Sequence, residues 1–475
     1  MPRRVTEEAY VEAVVPVLER YATIPCLSPN FDGDWEANGF IDEAMALFES
    51  VARDAGLRGA TVEVRRLPGR TPMLVVDVPS TSTAAGTVVL YGHLDKQPAL
   101  GEWSEGLAPF TPVHRDGRLF ARGVADDGYA LPTAIQALGA LQRDGTGHAR
   151  CVVLIEASEE SGSPDLDAHL DELAAWLGEV DLLVCLDSGA LTYDRLWVTN
   201  SLRGLSMVTI RVDVLRHEVH SGTAGGVVPS SFRILRELLD RIESPRTGEV
   251  LLGELHAMIP DSNLAAAGLV ARDLGDPAGS DLPIVEGLEL LGRDGADRLV
   301  RQTWEPSVAL VGIDGIPSIA DAANVVRPWT TARLAVRLPP SISASAAGAR
   351  LVKILSADAP SGAKVTVSAE GADGWVSPTP SPWLRDALDA ASRTAFGREP
   401  GFTGEGGSIP FLASLGRRFP RVQFLATGVL GPGSNAHGPD ESLHLATAAN
   451  LTDAVATVIA SHAQWREGAA SAPPQ

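Results

Sequence analysis

Histidines and carboxylates that follow buried apolar runs are the residues of this 475-residue chain best suited to chemistry. The run TVVLYG (87–92) leads into His93 and Asp95, CVVLIE (151–156) into Glu159 and Glu160, and DLLVCL (181–186) into Asp187. VQFLAT (422–427) leads into a loop carrying His437, and Asp126 stands just ahead of a helical pattern at 129–143. Ligands of an open parallel sheet bind beyond the carboxyl ends of its strands, so these side chains should meet at one sheet edge. Two imidazoles and several carboxylates, with no cysteine, form the ligand set of a hydrolytic zinc pair that shares one carboxylate and clamps a hydroxide. Such a centre also needs a general base that is not consumed as a ligand, and the adjacent Glu159 and Glu160 supply one residue for each task. Any of these groups alone would read as a structural histidine or a solvated loop acid; their shared place after buried runs is what favours metal chemistry.

The elements that must position them are legible as periodicities. Those four runs, with MLVVDV at 73–78, are apolar throughout, as strands covered on both faces are. Helical spacing appears at 5–23 (Tyr10, Ala13, Val14, Val17, Leu18, Tyr21), at 38–55, and at 129–143 (Leu131, Ile135, Leu138, Leu141). This is the rhythm of an α/β domain with a mainly parallel twisted sheet flanked by helices. The middle of the chain instead alternates apolar and polar residues at 206–216, 330–338 and 363–370, with helical patterns at 227–243 and 343–358. That pattern predicts an inserted α+β domain with an antiparallel sheet. The expected division is therefore 1–203 and 373–475 for the α/β domain and 204–372 for the insert, with GADGWVSPTPSP (371–382) as return linker. The tail EGAASAPPQ has nothing to bury and is expected to lack structure.

Bulk properties exclude several roles. With 39 basic against 60 acidic side chains and a formal charge of −21, nucleic acid and anionic membranes are repelled. No apolar run reaches the roughly 18 residues of a membrane span, and acidic residues interrupt any signal-like stretch at the N-terminus. Only Cys26, Cys151 and Cys185 occur, which suits a reducing, cytoplasmic setting. A serine hydrolase elbow is missing, because Pro410 stands where EGGSIP would need its second glycine. GPGSNA (431–436) imitates a dinucleotide fingerprint, yet no helical pattern opens after it.

The strings YGHLDKQP, LFARGVADD, EASEESGSPDL, VCLDSG, HSGTAGG, VRLPP, EGGSIP and SNAHGPDES, in this order, resemble the di-zinc metallopeptidase family of aminoacylases, carboxypeptidase G and carnosinases. The resemblance runs from about residue 10 to 460 and is strongest to the cytosolic dipeptidase and carnosinase branch. It implies a zinc-hydrolase domain with an inserted lid and dimerisation domain. It also implies two divalent ions, zinc before manganese or cobalt, and hydrolysis of dipeptides or short peptides with a free C-terminal carboxylate. An N-acyl amino acid deacylase and a non-catalytic dimeric homologue are the alternatives.

Carried over by position, the resemblance makes His93 and His437 ligands to different ions, Asp126 the bridge, and Glu160 and Asp187 the remaining ligands. Asp95 would orient His93. Glu159 would be the base for a zinc-bridging hydroxide, and the bond after Asp126 would be cis. His220 would reach across a homodimer interface to polarise the scissile carbonyl, and Arg337 would clamp the substrate carboxylate. Asn324 and Ser408 fall where that branch has further substrate contacts. One departure is plain: the branch has Asp-Asp-Lys-Gly where this chain has Asp126-Asp127-Gly128-Tyr129, which bears on substrate preference.

Overall fold

The computed structural model describes residues 4–280, 282–407 and 409–470. The chain forms two units: one takes it up to Asn200, then Ser377–Thr403 and the chain from Ile409, and the other takes Ser201–Val376 with a short return at 404–408.

The first unit is built on a six-stranded sheet in the order Thr61–Arg65, Met73–Val78, Arg150–Glu156, Thr87–His93, Val180–Cys185, Gln423–Ala426. Thr87–His93 runs parallel to both its neighbours, and Gln423–Ala426 runs parallel to Val180–Cys185. Met73–Val78 is antiparallel to the strands on either side. Its continuous apolar run gave its burial but not its direction. The short loop back from Thr61–Arg65 permits only an antiparallel return, whereas parallel neighbours need a longer crossover. The Ala130–Asp144 and Leu166–Leu177 helices provide such crossovers.

Ala130–Asp144 buries nearly every side chain of its first three turns and stops at Gly145, whose φ of 78° is the left-handed cap that glycine adopts without strain. Behind it lies Leu445–Ala470, a helix whose buried Ala448, Leu451, Ala454, Val455, Val458 and Ile459 face several ways. It shows little amphipathic periodicity because it is covered on more than one side. The tail expected to lack structure from Glu467 is helical as far as Ala470, and 471–475 lie outside the described residues.

The second unit carries a four-stranded antiparallel sheet, ordered Ser307–Asp314, Trp329–Leu338, Gly204–Asp213, Lys364–Ala372. Val208, Ile210, Val212, Ala332, Leu334 and Val336 alternate onto one face and pack with Ile234, Leu235 and Leu238 of Ser231–Leu239 and Leu351 and Leu355 of Ala344–Ser356. Both helices are shorter than their apolar patterns, since Ser230 and Ser343 cap them by accepting the amides of Arg233 and Ala346. The edge strand Ser307–Asp314 was not legible in the sequence, and Leu310, Val311 and Ile313 on it are exposed. No helix among the described residues is long and apolar enough to cross a membrane.

Candidate metal centre

His93 is the last residue of its strand, fully buried, and lies in register with Glu156 of the adjoining strand. Its amide donates to Asp127 Oδ2 at 3.2 Å. Its ring Nε2 lies 3.2 Å from Asp126 Oδ1 and 3.9 Å from Asp187 Oδ2. The other oxygen of Asp126 faces the second imidazole: His437 Nε2 is 3.0 Å from Asp126 Oδ2 and 3.2 Å from Glu160 Oε2. One carboxylate thus spans two imidazoles, one oxygen to each, as a carboxylate shared by two cations must.

Two groups of potential ligand atoms, each drawn together within 4.8 Å, result: His93, Glu159 and Asp187, and Asp126, Glu160 and His437. The sheet edge explains the convergence. Glu159 and Glu160 begin a single 3-10 turn just past Arg150–Glu156, Asp187 follows Val180–Cys185, and His437 sits at φ 63° in the loop beyond Gln423–Ala426. The Asp126–Asp127 peptide bond is cis.

Asp95 does more than face His93, whose Nδ1 lies 3.1 Å from its carbonyl and 3.4 Å from its carboxylate. Its two carboxylate oxygens accept the amides of Glu159 and Glu160 at 3.1 and 3.0 Å. From the other side Glu156, which the sequence did not single out, accepts Tyr91 Oη, Ser163 Oγ and Ser158 Oγ at 2.5, 3.0 and 3.4 Å. The turn that carries Glu159 and Glu160 is therefore held between two buried acids, and Gln97 Nε2 donates to Glu160 at 2.7 Å. Gly92 makes the crowding possible, since a Cβ there would lie 2.3 Å from Ala130 Cβ and 2.5 Å from Asp127 Oδ2.

The electrostatics call for positive charge. Burial, then Asp187, holds the Glu159 carboxyl well above its usual range, and burial does the same to Asp187 and, with Asp126 beside it, raises Glu160. Burial disfavours a charged imidazole, yet Asp126 and Asp95 push His93 well above its usual value, and Asp126 and Glu160 push His437 up to about 11. Burial also works against an ionised Asp126, but the two imidazoles hold it below its ordinary value. Carboxylates outnumber imidazoles at a largely buried sheet edge, and all the donors are oxygen or imidazole nitrogen, which is what a pair of divalent ions requires.

In the second unit, His220 is exposed in the two-residue strand Val219–His220, and its Nδ1 accepts the Gly222 amide at 3.1 Å. Asn324 is its neighbour there, its carbonyl accepting the Ser221 amide at 2.8 Å. Arg337, half-buried, sits in register between Ser307 and Leu205, and among the described residues it forms no ion pair. Ser408 lies outside the described residues. At the motif that departs from Asp-Asp-Lys-Gly, Gly128 has no room for a side chain: a Cβ would lie 2.3 Å from Tyr21 Cε1 and 2.6 Å from the Gly123 carbonyl.

A parallel sheet whose carboxyl edge gathers two acid-and-imidazole groups around one shared aspartate defines the class, a metal-dependent hydrolase. The chain belongs to peptidase family M20/M25/M40, whose model matches residues 89–461. It is 30% identical over 370 residues to a cysteinylglycine-S-conjugate dipeptidase of Corynebacterium striatum, covering 76% of this chain and 77% of that protein. It is 26% identical over 389 residues to human Beta-Ala-His dipeptidase, covering 77% of this chain and 74% of that one. The fold resembles that of the dipeptidase Dug1p of Saccharomyces cerevisiae, with a TM-score of 0.76 and 21% identity, covering 96% of this chain and 97% of that chain.

Proposed function

We propose that this protein hydrolyses the amide bond of dipeptides or short peptides with a free C-terminal carboxylate. The observation that carries the reading is Asp126, whose two oxygens face His93 and His437 separately, with Glu159 beside the His93 group. The dipeptidase names of the relatives favour peptides over N-acyl amino acids.

Two divalent ions, zinc before manganese or cobalt, would be held by His93, Asp126 and Asp187 and by Asp126, Glu160 and His437; when bound they acidify water and polarise a carbonyl. Glu159 accepts the proton of the attacking water and delivers it to the leaving amine. Its raised proton affinity suits both transfers, and Asp95 keeps it aimed by fixing its amide. His220 stabilises the developing oxyanion, and Arg337, which forms no ion pair among the described residues, grips the substrate carboxylate with a planar fork. Asn324 and Ser408 contribute further polar contacts to substrate.

The second unit is the homodimer interface in this reading. Its edge strand leaves Leu310 53%, Val311 55% and Ile313 39% exposed, a liability that a second copy would cover. The buried free thiols of Cys26, Cys151 and Cys185 suit the cytoplasm. The test is a panel of dipeptides, peptide amides and N-acyl amino acids assayed with zinc, manganese and cobalt and with a chelator. Hydrolysis of free-carboxylate dipeptides that a chelator abolishes is expected; turnover confined to N-acyl amino acids would overturn the substrate assignment.

A further inference from the structure

A buried ion pair that the proposed reaction leaves unused links the loops of Asp126 and His437. Arg122 is 1% exposed and Glu441 0%, and Arg122 Nη1 donates to Glu441 Oε2 at 2.6 Å. The other oxygen of Glu441 collects main-chain amides, from Gly123 at 3.0 Å, Ala125 at 3.1 Å and Asp126 itself at 3.3 Å. The other arm of Arg122, Nη2, donates to the Gly438 carbonyl at 2.8 Å, directly after His437. The backbone joins in, with the Ala121 amide donating to the Glu441 carbonyl at 3.1 Å.

These contacts do work that secondary structure does elsewhere. The chain between Phe120 and Ala130 is a run of turns, so its amides need acceptors, and Glu441 supplies one for three of them. His437 has a half-exposed side chain on a left-handed backbone, so its own packing does little to fix it. Its anchor is the carbonyl that follows it, held by Arg122. Ligands must be kept within about 0.5 Å of their places for tight metal binding, and residues that orient ligands commonly change affinity about 10–100-fold.

We propose that Arg122 and Glu441 act as one positioning device that locks Asp126 and His437 together and thereby sets the affinity of the Asp126, Glu160 and His437 position for its cation. The inference rests on the metal reading above and adds to it. Glu441→Gln is the informative change: its carbonyl oxygen can still accept the three amides, but its NH2 group then faces Arg122, so the guanidinium must move and release Gly438. Arg122→Lys keeps the charge but cannot bridge both partners.

Zinc titration of the full metal-free chain by calorimetry, with thermal melting of the same metal-free samples, tests it. Wild type should bind two ions, and each variant should bind the one at Asp126, Glu160 and His437 about 10–100-fold more weakly and the other, which shares only Asp126, by a smaller factor, so that the ratio of the two affinities changes. A pair that merely supports the fold would lower the melting temperature and leave the ratio of the two affinities as in wild type, which would overturn the proposal. Should Glu441→Gln fail to fold, Arg122→Lys decides by the same criterion. Two ions bound equally well by wild type and variants would sink this inference alone, whereas no uptake by wild type would sink the metal reading and this inference with it.

Discussion

Asp95 sits at the centre of the residue-scale account, because one carboxylate serves both Glu159 and Glu160 through their amides while facing His93. Asp95→Asn leaves its volume unchanged but offers one carbonyl oxygen where two carboxylate oxygens accept amides. We expect about 10–100-fold weaker metal binding, measured by chelator competition, together with a lower kcat. His437 carries a pH signature. In the metal-free protein its folded pKa, about 11, exceeds the roughly 6.5 of an unfolded histidine, so its pairing with Asp126 and Glu160 stabilises fully below the unfolded value and is lost as pH rises towards 11. Screening at its half-exposed ring keeps that contribution small. A cation must displace this proton, so apparent metal affinity should climb as pH rises above neutrality, with proton release detectable by calorimetry in buffers of different ionisation enthalpy. Affinity that is flat in pH would contradict the pairing.

Elements explain both what the sequence revealed and what it hid. His93, Glu159, Glu160 and Asp187 were legible because each ends or follows a strand whose apolar run has no alternation, and a parallel sheet must bring such ends to one edge. Arg122 and Glu441 were not, since a partner 319 residues away leaves no local pattern and a charged residue reads by default as surface. Ser307–Asp314 escaped because it is an edge strand whose apolar residues face solvent, so no buried face imposes alternation. The direction of Met73–Val78 was hidden too, since burial is the same either way. At Gly128 the Glu7–Ala22 helix presses the fully buried Tyr21 ring against the Asp126 loop. Gly128→Ala should therefore cost about 1–3 kcal/mol by overpacking, visible as a lower melting temperature, and restoring the lysine of related motifs should cost more. An unchanged melting temperature would mean that the loop yields freely.

At the scale of the whole molecule, a charge of −21 makes copies of the chain repel one another, so association in our reading has to come from a local apolar surface. The exposed edge of the second unit is that surface in our reading. Replacing Leu310 and Ile313 with Asp should convert a dimer to a monomer in analytical ultracentrifugation while leaving the metal content of the protein unchanged. Loss of metal on dissociation would show that the two are coupled. The central claim, that Glu159 moves the proton for hydrolysis beside a pair of cations held by its neighbours, is tested most directly by Glu159→Gln assayed on a free-carboxylate dipeptide with metal content measured in the same samples. The account predicts a fall of about 10²–10⁴-fold in kcat with both ions retained; activity equal to wild type in that variant would contradict it.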